Sequence, residues 1–340
     1  MGGDVGPPVT VPAALLALQK YQELELTLIG DQQVFEPVLA QHLDKLRGRL
    51  TPSQRDRLHV IHTEYTISNA DHPASILRTR RNSSMFLAVE QVHKGQADAC
   101  VSAGNTGALL LAGRHLLKTI PGIEKPAIMA IIPGTRAGDS SYLLDVGANV
   151  RNDANELYQF ARMGAVLAAS LSGRETARVA LLNIGEEANK GTPAIQQAAE
   201  LLSTCEDIDF CGYIEGNQLF NGLVDVIVCD GFTGNITIKT SAGAVHAMQR
   251  LMQNSLTQRW YYRAFGWALK PLLRDLSHEI NPSRYNGATL IGLQGIIIKS
   301  HGNADCAGFV HAIEHALNQI NDNVPALIAG KMAPLQRQAN

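Results

Sequence analysis

Short apolar runs separated by stretches of helical periodicity limit this 340-residue chain to one class of fold. Leu24–Ile29, Leu58–His62, Asp98–Val101, Ala127–Ile132, Tyr142–Val146, Arg178–Ile184, Phe210–Ile214, Val224–Cys229 and Ile296–Lys299 read as strands. Many are apolar at consecutive positions, the pattern of strands covered on both faces by helices. Helical spacing fills the gaps at Asn105–Leu117, Asn155–Ser170, Pro193–Leu202 and Asn235–Leu256, the last with Val245, Met248, Met252 and Leu256 in step. This βαβ rhythm predicts a three-layer α/β/α sandwich on a mostly parallel sheet. With no repeat and no Pro/Ser-rich linker, residues 1–340 are expected to form one domain of two interlocked lobes.

Composition excludes several classes of function. A hydrophobic content of 45% suits a packed core, not a disordered chain. Lys+Arg 29 against Asp+Glu 31 leaves a net charge of −2, too few cations for a nucleic-acid binder. Cysteines 100, 205, 211, 229 and 306 make no CxxC and no zinc spacing, so reduced thiols in the cytoplasm are expected. Glu186, Glu187 and Glu215 at strand ends lack a diagnostic metal spacing, and no metal or cofactor is expected. No apolar run reaches the roughly 18–20 residues that span a bilayer.

Glycine-rich strand-to-helix turns recur. Ser102-Ala103-Gly104-Asn105-Thr106-Gly107 leads from a strand into a helix, with Asn105 as a cap and the helix's positive end aimed at any ligand. Asp230-Gly231-Phe232-Thr233-Gly234-Asn235 and Lys299-Ser300-His301-Gly302-Asn303 repeat the design, and Met1-Gly2-Gly3-Asp4 is similar loop chemistry with no strand ahead of it. Several such turns in one sheet favour a phosphate-bearing or anionic ligand. The dinucleotide fingerprint GxGxxG is absent. Gly185–Thr192 misses the P-loop, with Lys190 and Gly191 in swapped order and two carboxylates inside it. Lys190 is either a cation for phosphate or a solvated partner of Glu186 or Glu187. Cys229, on a strand, reads as a small hydrophobe more readily than as a nucleophile. His301 is a candidate acid or anion donor.

From Gly231 to Arg274 there is no Asp or Glu, while Lys239, Arg250, Arg259, Arg263, Lys270 and Arg274 are cations. Trp260, Phe265 and Trp267 make this stretch aromatic, and residues 250–280 read as a protruding amphipathic helical segment. Such a segment suits an anionic membrane surface or a dimer contact.

Six motifs occur in order: MGGD with Gly6-Pro7, Val101–Leu109, Leu144–Asn149, Leu182–Gly191, Asp230–Asn235 and Tyr285–Ala288. Across nearly the whole chain this closely resembles the bacterial acyl-carrier-protein:phosphate acyltransferase family (PlsX) of phospholipid synthesis. The resemblance implies that inorganic phosphate attacks the thioester of a fatty acyl group on acyl carrier protein, giving acyl phosphate. It also implies a fold related to phosphate acetyltransferases and isocitrate/isopropylmalate-type dehydrogenases, a homodimer, and a cytoplasmic enzyme loosely associated with the membrane. A membrane glycerol-3-phosphate acyltransferase would take the product.

Such chemistry needs charge on the phosphate and donors for an oxyanion, not a covalent nucleophile. Lys190 is assigned to the phosphate or oxyanion, Asn235 to the acyl carbonyl, and His301 to phosphate or the leaving thiolate. Gly3, Asp4, Ser102, Gly104, Asn105, Thr106, Gly107, Asp230, Gly231, Thr233 and Gly234 form the expected binding turns. Arg78, Arg80 and Arg81 are expected to meet the acidic carrier protein, together with the Arg250–Arg274 stretch. Members of this family begin with an apolar strand before the MGGD loop, so such a strand is expected upstream of Met1.

Overall fold

A computed structural model describes residues 3–45, 51–136, 139–257 and 285–332. The chain begins with α1 (Pro7–Lys20), β1 (Leu26–Gly30), α2 (Gln32–Lys45), α3 (Pro52–Asp56), β2 (Leu58–His62), α4 (Ser75–Arg78), α5 (Ser84–His93), β3 (Ala99–Ser102) and α6 (Thr106–Leu116). It continues through β4 (Ala127–Pro133), β5 (Ser140–Leu144), α7 (Ala154–Ser172), β6 (Arg178–Asn183), α8 (Pro193–Ser203), β7 (Asp209–Glu215) and β8 (Val226–Val228). The remainder is α9 (Gly231–Thr257), β9 (Ala288–Ile291), β10 (Ile296–Lys299), α10 (Cys306–Asn321) and α11 (Val324–Met332).

Eight strands form one sheet in the order β3-β10-β9-β4-β5-β8-β6-β7, with β1 and β2 in a separate parallel pair. The pairs β3/β10, β5/β8, β8/β6 and β6/β7 are parallel, and helices flank the sheet as the apolar runs require. β6 shows the reason: Val179, Ala180, Leu181 and Leu182 are all buried, so both of its faces are covered. The centre of the sheet departs from the βαβ expectation. β4 and β5 form a hairpin, and β9 pairs antiparallel with both β4 and β10. Consequently β3 and β10 run opposite to β5, β8, β6 and β7.

The largest core lies under α7, where Leu157, Phe160, Ala161 and Met163 pack on Leu144, Val226 and Val228. A Cβ on Gly164 would come within 2.8 Å of Val226, so glycine there lets α7 approach β8. A second core packs α5 and α6 on the other side of the sheet through Phe86, Val89, Leu109, Ala112 and Ile297. A cavity of about 800 Å³ separates β1 from β3, lined by Leu26, Ile29, Ala99, Val101, Phe309 and Ile313. No helix among the described residues is long and apolar enough to cross a membrane.

One correction to the sequence reading concerns α9. It begins at Gly231, not at Asn235, so the Gly231–Asn235 stretch is the helix's first turn. Asp230 supplies the start, accepting from Thr233 N at 2.9 Å and from Thr233 Oγ1 at 2.8 Å. The apolar stripe farther along is not core: Met248 is 63% and Met252 39% exposed. The amphipathic segment, with Arg259, Trp260, Arg263, Phe265, Trp267 and Lys270, lies outside the described residues apart from its first turns.

Candidate active site

The turn after β3, the loop after β10 and the residues before α1 converge. Ser102 and Lys299 are register partners at the ends of their strands, and Ser300 N donates to Ser102 O at 2.9 Å. Ser102 Oγ accepts from Gly104 N at 3.2 Å, and Asn105 Oδ1 caps α6 by accepting from Ala108 N at 3.0 Å. The N–H groups of Thr106 and Gly107 therefore stand at the electropositive start of an 11-residue helix. A Cβ on Gly107 would meet Pro73 at 3.0 Å. Asp4 closes the group: its N–H donates to Gly302 O at 3.0 Å and its Oδ1 accepts from Asn69 Nδ2 at 3.0 Å. Gly3 sits against Ala103.

Asn286 holds the β10 loop in place. Only 2% exposed, it accepts from His301 N at 2.8 Å and donates to Ser300 Oγ and Gly308 O, each at 2.8 Å. The sequence reading quoted Tyr285–Ala288 without giving Asn286 a role. Its signal was a polar residue opening a short apolar strand. The Lys299 ammonium, half-buried, is pushed down to about 8 by burial, against the opposing charge of Asp4. His301 is exposed, yet the protein packed around its ring, and then the Lys299 charge, lowers it below the usual imidazole range.

A second group gathers where β5, β8 and β6 end. Asp145, fully buried, organises it. Oδ1 accepts from Ile128 N (3.0 Å), Gly147 N (3.1 Å) and Ala148 N (2.9 Å), and Oδ2 from Asn149 N (2.8 Å) and Asn149 Nδ2 (3.0 Å). Burial raises its carboxyl while those N–H donors oppose the rise. The start of α9 is pressed onto this loop. A Cβ on Gly234 would stand 1.9 Å from Asp145 O, and one on Gly231 would stand 2.3 Å from Asn149 O. Asn235 Nδ2 lies 2.5 Å from where a Cβ on Gly147 would be. The glycines of this motif thus serve close approach more than turning. Sequence reasoning missed Asp145, though a lone acid at the end of an apolar run was visible.

Lys190 is exposed in the loop after β6, with its Cγ 3.0 Å from the Cβ position of Gly185. Its carbonyl accepts from Asn183 Nδ2 and Gln196 Nε2, each at 3.3 Å. Glu186 instead accepts from Gln218 Nε2 at 2.7 Å, and no ion pair ties Lys190 to Glu186 or Glu187 among the described residues. Cys229 is buried, and desolvation pushes its thiol well above the usual range, ahead of the neighbouring Asp230 and Asp145 charges. It has the surroundings of an inert cysteine.

No hydrogen bond or ion pair joins the two groups among the described residues; they stand at ends of strands that run in opposite senses. Arg78 is exposed in the last turn of α4, and Arg81 Nε, also exposed, donates to Leu77 O at 2.7 Å. Arg80 is half-buried nearby. Glu124, Asp153 and Glu156 bring carboxylate oxygens within 4.8 Å of one another. Lys125 pairs with Glu156 at 2.5 Å, and Asp153 and Glu156 form the capping box of α7, so this trio serves the helix start.

Comparison with known proteins matches residues 1–327 to the family described as fatty acid synthesis protein. A phosphate acyltransferase from Shewanella sp. (strain W3-18-1) is 44% identical over 340 residues, all of this chain and 97% of that protein. Another from Shewanella baltica (strain OS155) is 43% identical over the same shares. Among solved structures, the EutD phosphotransacetylase from Staphylococcus aureus matches with TM-score 0.55 and 16% identity, over 91% of this chain and 89% of that one. A 4-hydroxythreonine-4-phosphate dehydrogenase from Klebsiella pneumoniae matches with TM-score 0.51 and 12% identity, over 94% and 97%. These two likenesses show the fold.

Proposed function

The chain belongs to the phosphate acyltransferase family of fatty acid synthesis and is an acyltransferase, and from that premise we propose that its donor is a fatty acyl thioester of acyl carrier protein and its acceptor inorganic phosphate. The observation that carries this reading is the full-length match to phosphate acyltransferases, over a sheet whose strand ends bear glycine turns and uncommitted cations. Val146 and Ala148, from the loop after β5, pack against the same core that seats Leu109 and Ala112 of α6, which supports reading the two groups as two walls of one cleft.

One phosphate oxygen attacks the thioester carbonyl, forming the C–O bond and placing the electron pair on the carbonyl oxygen. Asn235 donates to that oxyanion, and the Lys190 ammonium supplies charge beside it. Collapse breaks the C–S bond, and the carrier thiolate departs to take a proton from His301 or water. Phosphate is already anionic and nucleophilic near neutral pH, so no acyl-enzyme is needed. The inert setting of Cys229 supports direct attack.

The product would supply a glycerol-3-phosphate acyltransferase in phospholipid synthesis at the membrane surface, from a cytoplasmic enzyme. The exposed Phe232, Ile236, Met248 and Leu251 along α9 support a homodimer or surface contact on that helix. The two lobes of the single domain are proposed to meet at the antiparallel centre of the sheet. The deciding experiment is hydroxylamine trapping of acyl phosphate formed from acyl carrier thioester plus phosphate, with acyl-coenzyme A in parallel. Trapped product from the carrier thioester at the lower KM is expected; turnover of the coenzyme A thioester alone refutes the donor assignment. Lys190→Ala and Asn235→Ala should each lower turnover by about 10²–10³ while remaining folded.

A further inference from the structure

Lys299 has an unmet charge. Among the described lysines, Lys125 and Lys299 are the two that are not exposed. Lys125 pairs with Glu156, whereas among the described residues no carboxylate lies within 4.0 Å of Lys299. Its Nζ donates to the adjacent Ser300 carbonyl, which leaves two of its three N–H bonds for another acceptor. A cation withdrawn from water without a counter-ion is costly, and folding alone gives no return for it. The position does: Lys299 stands beside Ser102 across the β3/β10 register, its charge acts on the His301 ring, and the turn that follows Ser102 leads into the start of α6.

We propose that Lys299 is the cation that binds the acceptor phosphate, seating the anion between the end of β10 and the first turn of α6. This inference rests on the reading of phosphate as acceptor and says where on the molecule it docks. Charge favours this wall over the other. Glu186, Glu187 and Asp230 surround the Lys190 wall, and each repels a phosphate dianion. Around Lys299 the nearby carboxylate is Asp4, tied by Asn69 and turned against Gly302, while Asp305 is spent on the cap of α10. The Asp4 charge opposes the effect of burial on the Lys299 ammonium. Phosphate held there would present an oxygen towards a carbonyl seated at Asn235 across the cleft.

The test is calorimetric titration of the full chain with inorganic phosphate at pH 7, with no thioester present. K299M should weaken phosphate binding roughly 10- to 100-fold, the value of one hydrogen bond to a charged group, and K299R should restore most of it. In steady state K299M should raise KM for phosphate by a similar factor and leave KM for the acyl donor unchanged. Its melting temperature should equal or exceed that of the native protein, because an unpaired, half-buried charge has gone. Phosphate binding within twofold of native in K299M would overturn the proposal. So would a lower melting temperature with both KM values raised together, which marks a structural lysine. If K299M loses phosphate binding but neither protein turns over the carrier thioester, the donor reading fails and the phosphate site stands.

Discussion

Adding one methyl group at Gly234 tests whether acyl transfer depends on the fit between α9 and the loop after β5. A Cβ there would stand 1.9 Å from Asp145 O and 2.9 Å from Cys229 Sγ. Cβ contacts shorter than 3.0 Å are essentially never seen, so the contact with Asp145 must open by 1.1 Å, from 1.9 Å to 3.0 Å. Neither obstacle can yield easily. Asp145 is fixed by five hydrogen bonds from N–H groups, and Cys229 is buried in the sheet. The helix must therefore move, carrying Asn235 with it. A displacement of about 1 Å at a reacting group costs on the order of 10²-fold in rate, and overpacking costs about 1–3 kcal/mol in stability. Hydroxylamine-trapped acyl phosphate measures the first and circular-dichroism melting the second. Gly243→Ala is the matched control: same helix, exposed, no atom within 4 Å of its added Cβ. It should keep full activity and gain about 0.5–1 kcal/mol from helix propensity. A folded Gly234→Ala enzyme with turnover within threefold of native would refute the positioning argument.

Three further outcomes follow from particular contacts. Asp145→Asn keeps an oxygen for Ile128, Gly147 and Ala148 but turns an NH₂ towards Asn149 N and Nδ2, so urea denaturation should show a loss of about 3–5 kcal/mol; native-like stability would mean the carboxyl is already neutral. His315 is buried with Nε2 3.0 Å from both Thr289 Oγ1 and Gln319 Nε2, and burial lowers it to about 4. Because the folded value lies below the unfolded 6.5, its contribution is present above pH 6.5 and lost as pH falls towards 4, by up to about 3 kcal/mol. His315→Gln should flatten that part of the urea-midpoint profile, and parallel profiles would contradict the assignment. Cys229→Ala should retain turnover within about tenfold of native, whereas complete loss in a folded variant would point to an acyl-enzyme.

Strands buried on both faces were legible because their apolar runs are continuous: Ile296–Lys299 has the boundaries read from sequence, and β6 differs by one residue. β9 escaped because four residues between Gly287 and Gly292, both at positive φ, carry too little periodicity to separate a strand from a loop. Its antiparallel pairing, and with it the reversal at the sheet's centre, depends on long-range contacts that no local pattern encodes. The capping role of Asn105 was legible for the opposite reason, since a cap is a contact over three residues.

The glycine motifs show where local reading stops. In Asp230–Asn235 a turn and a helix start that must fit against a neighbouring backbone demand the same residues, and a sequence does not say which demand is in force. Here the fit wins: Gly231 and Gly234 lie inside the helix, and their missing side chains make room for Asp145 and Asn149 from a segment more than eighty residues earlier. Lys299 is the same ambiguity in charge. A lysine ending an apolar strand reads as a solvated terminus, until the fold half-buries it beside Ser102 with no carboxylate within 4.0 Å among the described residues. For both, chemistry becomes visible only when tertiary neighbours show what the residue lacks: a side chain in the glycines, a counter-ion in the lysine. An enzyme whose nucleophile is its own substrate has reason to be built this way, because the catalytic work left to the protein is the placement of vacancies for an anion and an oxyanion.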